Sequence, residues 1–369
     1  MKIRRYDYAS QFGEDAQELV DDIGKMLLGG RYVLSQEVHD FESDFAKYVG
    51  TKYSRGVNSG TDALLLALQT LGIGRGDEVI TQANTFHATV AAICMCGATP
   101  VLVDADPETF LIDLDQIESA LSASTKAIMP VHLYGKATRM QPILDLAKQH
   151  NLYVIEDAAQ AHGAKIDGRR VGSFGDIGCF SFHPSKNLAA AGDAGAIVTD
   201  KEEWSLDISQ RRSLGQRSQN EHVTVGLNSK LDAIQARILQ HKLPHLDQWN
   251  ELRFQIASLY REKLEDLPLF FQQVGDSESH VYHLFQIGTP ERDSLLNYLR
   301  EKEVDATIRY PHPIHLQASF KDCGWNPGQF PVAEKLTSQL LCLPVRPGMP
   351  EEEIDYVAKQ VKQFFGERS

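Results

Sequence analysis

Short apolar runs alternate with amphipathic helical stretches between about residue 56 and residue 200. The runs have the length and the valine and isoleucine content of buried strands: EVITQ (78–82), TPVLVD (99–104), AIMPVHLY (127–134), LYVIED (152–157), GCFSFH (178–183) and GAIVTD (195–200). Helical patterns lie between them, at 61–73, 86–96, 113–122 and 139–150. Near-continuous apolar strands separated by helices predict a mixed, mostly parallel sheet covered by helices on both faces, an α/β fold.

The flanking regions are helical before the sheet and mixed after it. Residues 13–50 read as two helices, the second beginning after Ser35. A long amphipathic segment from 232 to about 267 predicts a spanning helix broken near Pro244. Beyond it come VYHLFQIG (281–288), a helix at 291–302 and RYPHPIH (309–315). We therefore expect a large domain over 1–240, with its N-terminal helices, and a linking helix with a smaller α/β domain over 241–369.

Composition narrows the class of protein. The 369 residues are 42% hydrophobic, enough for a full globular core, but no apolar run reaches the ~18 residues that a membrane helix needs. No apolar region of a secretory signal follows the first basic residues. Five sparsely spaced cysteines favour reduced, buried thiols in a cytoplasmic protein over a zinc site. The net charge of −13 argues against nucleic acid as a partner, so we expect a cytoplasmic protein without metal, membrane or nucleic acid.

The stretch NSGTDALLLALQTLG (58–72) places Gly60, Thr61 and Asp62 at the start of a strongly helical run. A helix N-terminus presents free N–H groups and a partial positive charge, which suits a phosphate. Plain capping by Ser59 or Thr61 explains the same residues. The stretch is not a P-loop, because no GKS or GKT follows, and no GxGxxG supports a dinucleotide.

The stretch LYVIEDAAQAHGA (152–164) ends an apolar strand in Asp157, and Gln160 follows. A carboxylate at the carboxyl end of a central strand lies where ligands of such sheets bind. It is partly desolvated there and needs a cationic partner, for which a protonated pyridinium nitrogen would serve. The alternative is that Asp157 caps a helix.

The stretch FSFHPSKNLAAAGDAGAIVTD (180–200) holds one lysine, Lys186, in a loop of small residues between two strands. A lysine near a cation-binding pocket has a lowered pKa, which favours Schiff-base chemistry. Ser181, on the preceding strand, has a hydroxyl that can bind a phosphate. A solvated surface lysine is the alternative. The order of these parts, with the aromatic Phe86 after an earlier strand, is the order of one known cofactor site.

Six ordered blocks resemble the DegT/DnrJ/EryC1/StrS family of nucleotide-sugar aminotransferases, which have the fold-type I architecture of pyridoxal-phosphate enzymes. The blocks are GVNSGTDALLLAL, GDEVITQANTF, PVHLYG, VIEDAAQAHGA, the stretch around Lys186, and GLNSKLDAIQA (226–236). The resemblance covers roughly residues 8–365. It implies a pyridoxal 5'-phosphate enzyme that passes through the pyridoxamine form.

By this resemblance, Lys186 and Asp157 are the catalytic residues. Lys186 would be bound covalently to the cofactor, and Asp157 would pair with the pyridinium nitrogen. Phe86 would stack on the ring and Gln160 would hydrogen-bond near its phenolic oxygen. The phosphate would be held by residues of two blocks, namely Gly60, Thr61, Asp62 and Ser181.

The resemblance further implies a homodimer with shared active sites, because Asn228 matches an asparagine that reaches the neighbouring subunit's phosphate. Capping of the helix that starts near Asp232 is the alternative for Asn228. His183, Tyr310 and His315 match positions on the substrate side, although packing of the strand would also explain His183.

The implied reaction moves an amino group from L-glutamate to a nucleotide-linked keto-sugar. Gln160, in place of a histidine, resembles members that aminate C3 of a dTDP-linked 3-keto-6-deoxyhexose. Amination at C4, a cyclitol aminotransferase and a regulator that binds the cofactor without turnover are the alternatives. One departure concerns Ala189 and Ala194, where relatives often have glycine. Because alanine resists positive φ, these positions are either helical or extended, or the loop packs differently.

Overall fold

The computed structural model describes residues 1–13 and 16–366. Its strands are β1 (Tyr53–Val57), β2 (Glu78–Gln82), β3 (Thr99–Val103), β4 (Thr125–Ile128), β5 (Tyr153–Asp157), β6 (Lys165–Ile166), β7 (Arg169–Arg170), β8 (Ile177–Ser181), β9 (Gly195–Thr199), β10 (Gln216–Ser218), β11 (Glu221–His222), β12 (Phe270–Phe271), β13 (Phe285–Gly288) and β14 (Leu340–Leu343). Its α-helices are α1 (Ala16–Gly29), α2 (Gln36–Val49), α3 (Gly60–Thr70), α4 (His87–Met95), α5 (Leu114–Ile117), α6 (Met140–His150), α7 (Glu202–Arg211), α8 (Ala233–Lys242), α9 (Leu246–Leu264), α10 (Arg292–Glu301), α11 (Pro331–Gln339) and α12 (Glu351–Gly366).

The main sheet has seven strands in the order β1-β9-β8-β5-β4-β2-β3. The pairs β2–β3, β2–β4, β4–β5 and β5–β8 are parallel, whereas β9 runs antiparallel to both β8 and β1. The loop from β8 to β9 contains no helix that could carry the chain back across the sheet, so β9 returns in the opposite direction. The prediction of a mixed, mostly parallel sheet is confirmed.

Neighbouring residues along the strands enter two different cores. Ile80, Ile128 and Val154 pack on one face with α2, α6 and α8, while Val79 and Ile155 pack on the other face with α3, α4 and α7. This follows from the two-residue period of a strand, because successive side chains point to opposite faces. Helices on both faces explain why the strands are apolar at nearly every position.

Three strand ends meet at one edge of the sheet. Gly195, the first residue of β9, is in register with Val57 at the end of β1 and with Ser181 at the end of β8. Asp157 ends the adjacent strand β5, in register with Cys179. The loops that follow β1, β5 and β8 are therefore neighbours in space, although they are far apart in the chain.

Two predicted strands are shorter than the apolar runs that suggested them. In AIMPVHLY the strand ends at Ile128; Pro130 has no N–H, and the chain continues beside β5 through an isolated bridge between Val131 and Asp157. In VYHLFQIG only Phe285–Gly288 is a strand, because Tyr282 has a φ of 43° and breaks the extended conformation.

The predicted long helix is broken, as expected at Pro244. Helices α8 and α9 are joined by a 3-10 turn, Leu243–His245, where proline lacks the N–H that a continuous helix needs. Leu239 and Leu246 belong to the core under the large sheet, while Ile256 belongs to a second core. The change from one core to the other therefore falls within α9.

The second core packs α9, α10 and α12 on the antiparallel sheet β12-β13-β14. Ile3 also enters it, through a bridge to Val304. The predicted division at residue 240 falls inside α8 and stays a prediction.

Over residues 1–13 and 16–366, no helix has both the length and the apolar character needed to cross a membrane. All five cysteines are free thiols. Cys179 and Cys342 are buried, but Cys94 and Cys323 are exposed, so the expected burial holds for only part of the set.

Candidate active site

A cavity of about 320 Å³ lies at the edge of the sheet where these strands end. Nine of the predicted site residues line it: Gly60, Thr61, Phe86, Asp157, Gln160, Ser181, His183, Lys186 and Tyr310. The carboxyl ends of the parallel strands bring them together from distant parts of the chain.

Helix α3 begins directly at this cavity. Ser59 is its N-cap and accepts a hydrogen bond from the Asp62 N–H at 3.1 Å, so the capping alternative is correct for Ser59. The N–H groups that start a helix have no acceptor within it and remain available to an anion. Capping and phosphate binding are therefore compatible here, because they use different N–H groups.

Two glycines allow the helix start to approach the ends of β8 and β9. A Cβ on Gly60 would lie 2.6 Å from the Cβ of Ser181, and one on Gly195 would lie 2.5 Å from the carbonyl carbon of Ser59. Any larger residue would push these segments apart. The resulting pocket, with backbone N–H groups and the Ser181 hydroxyl nearby, fits a phosphate group.

Asp157 is a buried carboxylate at the end of β5. Oδ2 accepts from Thr89 Oγ1 at 2.8 Å and Oδ1 accepts from the Ala159 N–H at 3.2 Å. Burial raises the pKa of Asp157 although both hydrogen bonds act in the opposite direction. No helix begins after this residue, so the helix-capping alternative is wrong. A buried carboxylate of this kind suits a cationic ring nitrogen.

The adjacent Glu156 points to the opposite face of the sheet. Its carboxylate accepts from the backbone N–H groups of Gly172, Phe174 and Gly175 at 2.6–2.7 Å, and pairs with His132 Nε2 at 3.0 Å. The two-residue period of the strand thus separates a structural carboxylate from one that faces the cavity.

Lys186 lines the cavity and is not a solvated surface lysine. Burial lowers the pKa of its ammonium group to about 8; nearby Asp157 acts in the opposite direction, and Arg309 lowers the pKa further. A lysine with this pKa has an appreciable fraction of free amine near neutral pH. Such an amine can form a Schiff base and transfer protons.

Contacts from distant segments fix the loop that carries Lys186. The Asn187 side chain donates to the Val281 carbonyl at 3.0 Å and to Asn250 Oδ1 at 2.9 Å. Lys242 Nζ donates to the Ala189 carbonyl at 3.0 Å. Ala189 and Ala194 are buried and neither has a positive φ, so the first alternative for these alanines holds and the loop needs no glycine there.

Gln160 links two aromatic residues beside the cavity. Its Oε1 accepts from the Tyr134 N–H at 2.8 Å and its Nε2 donates to the Tyr310 hydroxyl at 2.8 Å. The ring of Tyr310 lies 5.4 Å from the ring of Phe86, which is about half exposed at 48%. Phe86 thus presents an aromatic face to the cavity that a planar ring could cover.

His183 lies at the cavity mouth, beyond the end of β8. Its side chain is exposed, so the strand-packing alternative is wrong. Nδ1 accepts from the Ser185 N–H at 3.2 Å and lies 3.0 Å from Ser185 Oγ. Partial burial lowers the pKa of His183, so the neutral imidazole is favoured.

Three of the predicted site residues do not line this cavity. Asp62 accepts from Ser229 Oγ at 2.6 Å and is directed toward the GLNSKLD block. Asn228 is exposed and accepts a hydrogen bond from Lys230; the cap of α8 is Asp232, so the capping alternative for Asn228 is wrong. His315 is buried elsewhere, with Nε2 2.9 Å from Glu334 Oε1, and the predicted substrate contact of His315 gains no support from this position.

Sequence reasoning missed Arg309 and His283, which also line the cavity. Arg309 immediately precedes Tyr310 in RYPHPIH, and this adjacency was the available signal. His283 is buried, with Nδ1 3.3 Å from Asn187 Oδ1, and no local pattern marks it.

Comparisons with known proteins identify the family of the chain. The model of the DegT/DnrJ/EryC1/StrS aminotransferase family matches residues 14–362. The chain is 42% identical to a pleiotropic regulatory protein of Geobacillus stearothermophilus, over 99% of both chains. It is 43% identical to dTDP-3-amino-3,6-dideoxy-alpha-D-galactopyranose transaminase of Aneurinibacillus thermoaerophilus, over 94% of this chain and 95% of that protein.

Solved structures show the same fold over nearly the whole chain. DesV of S. venezuelae, in complex with a ketimine intermediate, superposes with a TM-score of 0.96 at 38% identity, covering 98% of each chain. NtdA of Bacillus subtilis, with bound cofactor PMP, gives a TM-score of 0.92 at 33% identity, over 99% of this chain and 85% of that one.

Proposed function

Because this chain belongs to the DegT/DnrJ/EryC1/StrS aminotransferase family, we propose that it transfers an amino group from L-glutamate to C3 of a dTDP-linked 3-keto-6-deoxyhexose. The family makes it an aminotransferase that uses pyridoxal 5'-phosphate. The choice of C3 rests on relatives such as the dTDP-3-amino-3,6-dideoxy-alpha-D-galactopyranose transaminase. The observation that carries the proposal is the convergence of Lys186 and Asp157 on one cavity.

The residues present fit the cofactor. Ser181, with the backbone N–H groups of Gly60 and Thr61, would hold its phosphate, since the glycines leave this space free. Asp62 would contribute little, because its N–H is bonded to Ser59 and its carboxylate to Ser229. Phe86 would cover one face of the ring and Gln160 would lie beside it.

Bound pyridoxal phosphate withdraws electrons from the substrate carbon and thereby makes its proton labile. Asp157 would hold the positive charge of the ring nitrogen, because the buried carboxylate gains a cationic partner there. Lys186 would then move a proton to and from the substrate carbon. Its lowered pKa places the free amine within reach of neutral pH, where a general base works best.

A homodimer with shared active sites belongs to the proposal. Asn228 is exposed outside the cavity of its own chain, at a position where it could reach a neighbouring molecule. We propose that Asn228 of the partner subunit contacts the cofactor phosphate. Size-exclusion chromatography with light scattering, combined with cofactor titration of Asn228→Ala, would test this contact.

A panel of keto-sugar nucleotides assayed with L-glutamate tests the proposed reaction. We expect glutamate alone to convert the yellow form of the bound cofactor, and a dTDP-3-keto-6-deoxyhexose to restore it. Preference for a 4-keto-sugar or for a keto-cyclitol would replace the substrate assignment. A spectrum that glutamate and every acceptor leave unchanged would favour the regulator.

The variant Lys186→Ala provides the matched control for the panel. It removes the amine and leaves the cavity walls in place. Full transamination by this variant would contradict the role of Lys186 and the proposed mechanism.

A further inference from the structure

One cation of the cavity wall has no charged partner. Arg309 Nη2 donates to the Tyr6 hydroxyl at 2.8 Å, and its Nε is buried without any hydrogen-bond partner. Throughout residues 1–13 and 16–366, no carboxylate forms an ion pair with this guanidinium. Because a guanidinium remains charged at every physiological pH and leaving it unpaired is unfavourable, this side chain is suited to an anionic ligand.

The carboxylates nearest in the cavity do not serve as this partner. Asp157, at the carboxyl end of β5, accepts hydrogen bonds from Thr89 Oγ1 and from the Ala159 N–H. Its carboxylate faces the position proposed for the ring nitrogen. Asp193 is exposed at the cavity mouth. Arg309 therefore adds positive charge to the cavity in a chain whose net charge is −13.

The N-terminal segment holds the guanidinium in place. Tyr6 stacks on Tyr8 with ring centres 5.6 Å apart, and the Arg5 guanidinium lies 5.0 Å from the centre of the Tyr6 ring. The Arg5 N–H also donates to Asp305 Oδ2 at 3.2 Å. Tyr6 is thus fixed beside the chain that carries Arg309, and its hydroxyl restricts the directions in which the guanidinium can donate.

We propose that Arg309, positioned by Tyr6, binds a carboxylate of the amino donor. The inference rests on the proposed function, which requires donor and acceptor to react in turn at the same cavity. Arg309 lines the wall that Lys186 also lines, and its charge lowers the pKa of Lys186, so the two cations are close. Arginine is suited to carboxylates because its planar N–H groups match their two oxygens.

The chemistry of the two substrates favours the donor. A carboxylate of an amino acid is bonded directly to the carbon that gives up its amine. In the acceptor, the diphosphate is attached at C1 and is separated from C3 by two ring bonds and the glycosidic oxygen, while the deoxyhexose ring is uncharged. A cation close to the reacting centre therefore matches the donor carboxylate better than the diphosphate.

The test measures the two half-reactions of the holoenzyme separately, with Arg309→Gln, Arg309→Lys and Tyr6→Phe. For Arg309→Gln we expect the glutamate concentration for half-maximal conversion of the cofactor spectrum to rise about 10- to 100-fold, as for loss of a charged hydrogen bond. Arg309→Lys should recover part of this loss. The acceptor half-reaction, started from the pyridoxamine form, should change less than about threefold.

Equilibrium binding of glutarate provides a readout that needs no turnover, because this dicarboxylate has no amine. Calorimetry should show that Arg309→Gln weakens glutarate binding by the same factor as it weakens the response to glutamate. Tyr6→Phe should weaken glutarate binding less. The matched control is Arg300→Gln, which removes the same charge from the exposed end of α10. It should leave glutarate binding and both half-reactions unchanged.

Three results would overturn the inference. If Arg309→Gln binds glutamate and glutarate as tightly as the wild type, Arg309 does not bind the donor carboxylate. If the variant slows both half-reactions equally, Arg309 has a general structural role. If Arg309→Gln loses activity only with a keto-uronate acceptor, Arg309 binds the carboxylate of that sugar and not the carboxylate of the donor. If the wild-type enzyme takes the amine from glutamate but aminates no keto-sugar nucleotide, the proposed acceptor is wrong. The glutarate measurement still tests the donor subsite in that case.

Discussion

The lowered pKa of Lys186 leads to a direct prediction about its reactivity. The ammonium form is unfavourable because burial removes it from water, and Arg309 adds like charge; Asp157 offsets part of this effect. Below its pKa the amine is protonated and unreactive, and above its pKa it is free. We therefore expect Lys186 of the apoenzyme to become nucleophilic at a much lower pH than an ordinary lysine.

The size of the effect follows from the pKa of about 8. At pH 7, about 9% of an amine with this pKa is free, compared with about 0.03% for one with a pKa of 10.5, a ratio of about 300. Between these two pKa values the advantage shrinks as the pH rises. It disappears once both amines are deprotonated.

Competitive labelling measures this quantity. Apoenzyme and a free lysine amide would be acetylated together with trace acetic anhydride at pH values from about 6 to about 11, and the peptide that contains Lys186 quantified by mass spectrometry. We expect half-maximal labelling near pH 8. Asp157→Asn should move this midpoint to lower pH and Arg309→Gln to higher pH, since the two charges act in opposite senses.

A midpoint at the pH of the free lysine amide would refute the reasoning. Shifts of both variants in the same direction would show that the cavity charges are not the cause.

Three further variants test other parts of the site and fold. Asp157→Asn should reduce transamination at least about 100-fold with an unchanged circular dichroism spectrum, because a neutral amide cannot balance a ring cation; wild-type turnover would contradict this. Gly195→Ala should cost about 1–3 kcal/mol in urea unfolding and weaken cofactor binding, because its Cβ would lie 2.5 Å from the Ser59 carbonyl carbon; unchanged titrations would contradict the close approach. Glu42→Leu should cost about 3–5 kcal/mol by leaving Arg212 buried and unpaired, and a double Glu42→Leu/Arg212→Leu variant that recovers nothing would contradict the ion pair.

Local sequence patterns predicted most of the fold and part of the site. The apolar runs predicted the strands of the large sheet from 78 onward, and Pro244 marked the break between α8 and α9. The first strand, Tyr53–Val57, was missed because Ser54 and Arg55 interrupt its apolar pattern. Strand β14 and helix α12, late in the chain, were also not predicted from the sequence.

The sequence predicted a site residue only where the neighbouring residues in the chain form a recognisable local pattern. Lys186, Asp157 and the SGT helix start stand in recognisable local settings, and all three line the cavity. His183 and His315 occur in similar histidine- and proline-containing stretches. One lies at the mouth of the cavity, and the other is bonded to Glu334 outside it.

By itself, the sequence determined the fold class, the strands β5 and β8 that end beside the cavity, and the lysine and carboxylate of the predicted site. These features depend on periodicity and on residue type, which are local properties of the chain. Tertiary structure alone decided which of Glu156 and Asp157 faces the cavity, that Gly60 and Gly195 allow close approach, and that Arg309 and Lys186 line the same cavity. Burial, contact and pKa depend on segments that meet only in the folded molecule, where distant charges and packed backbone set the properties of each side chain.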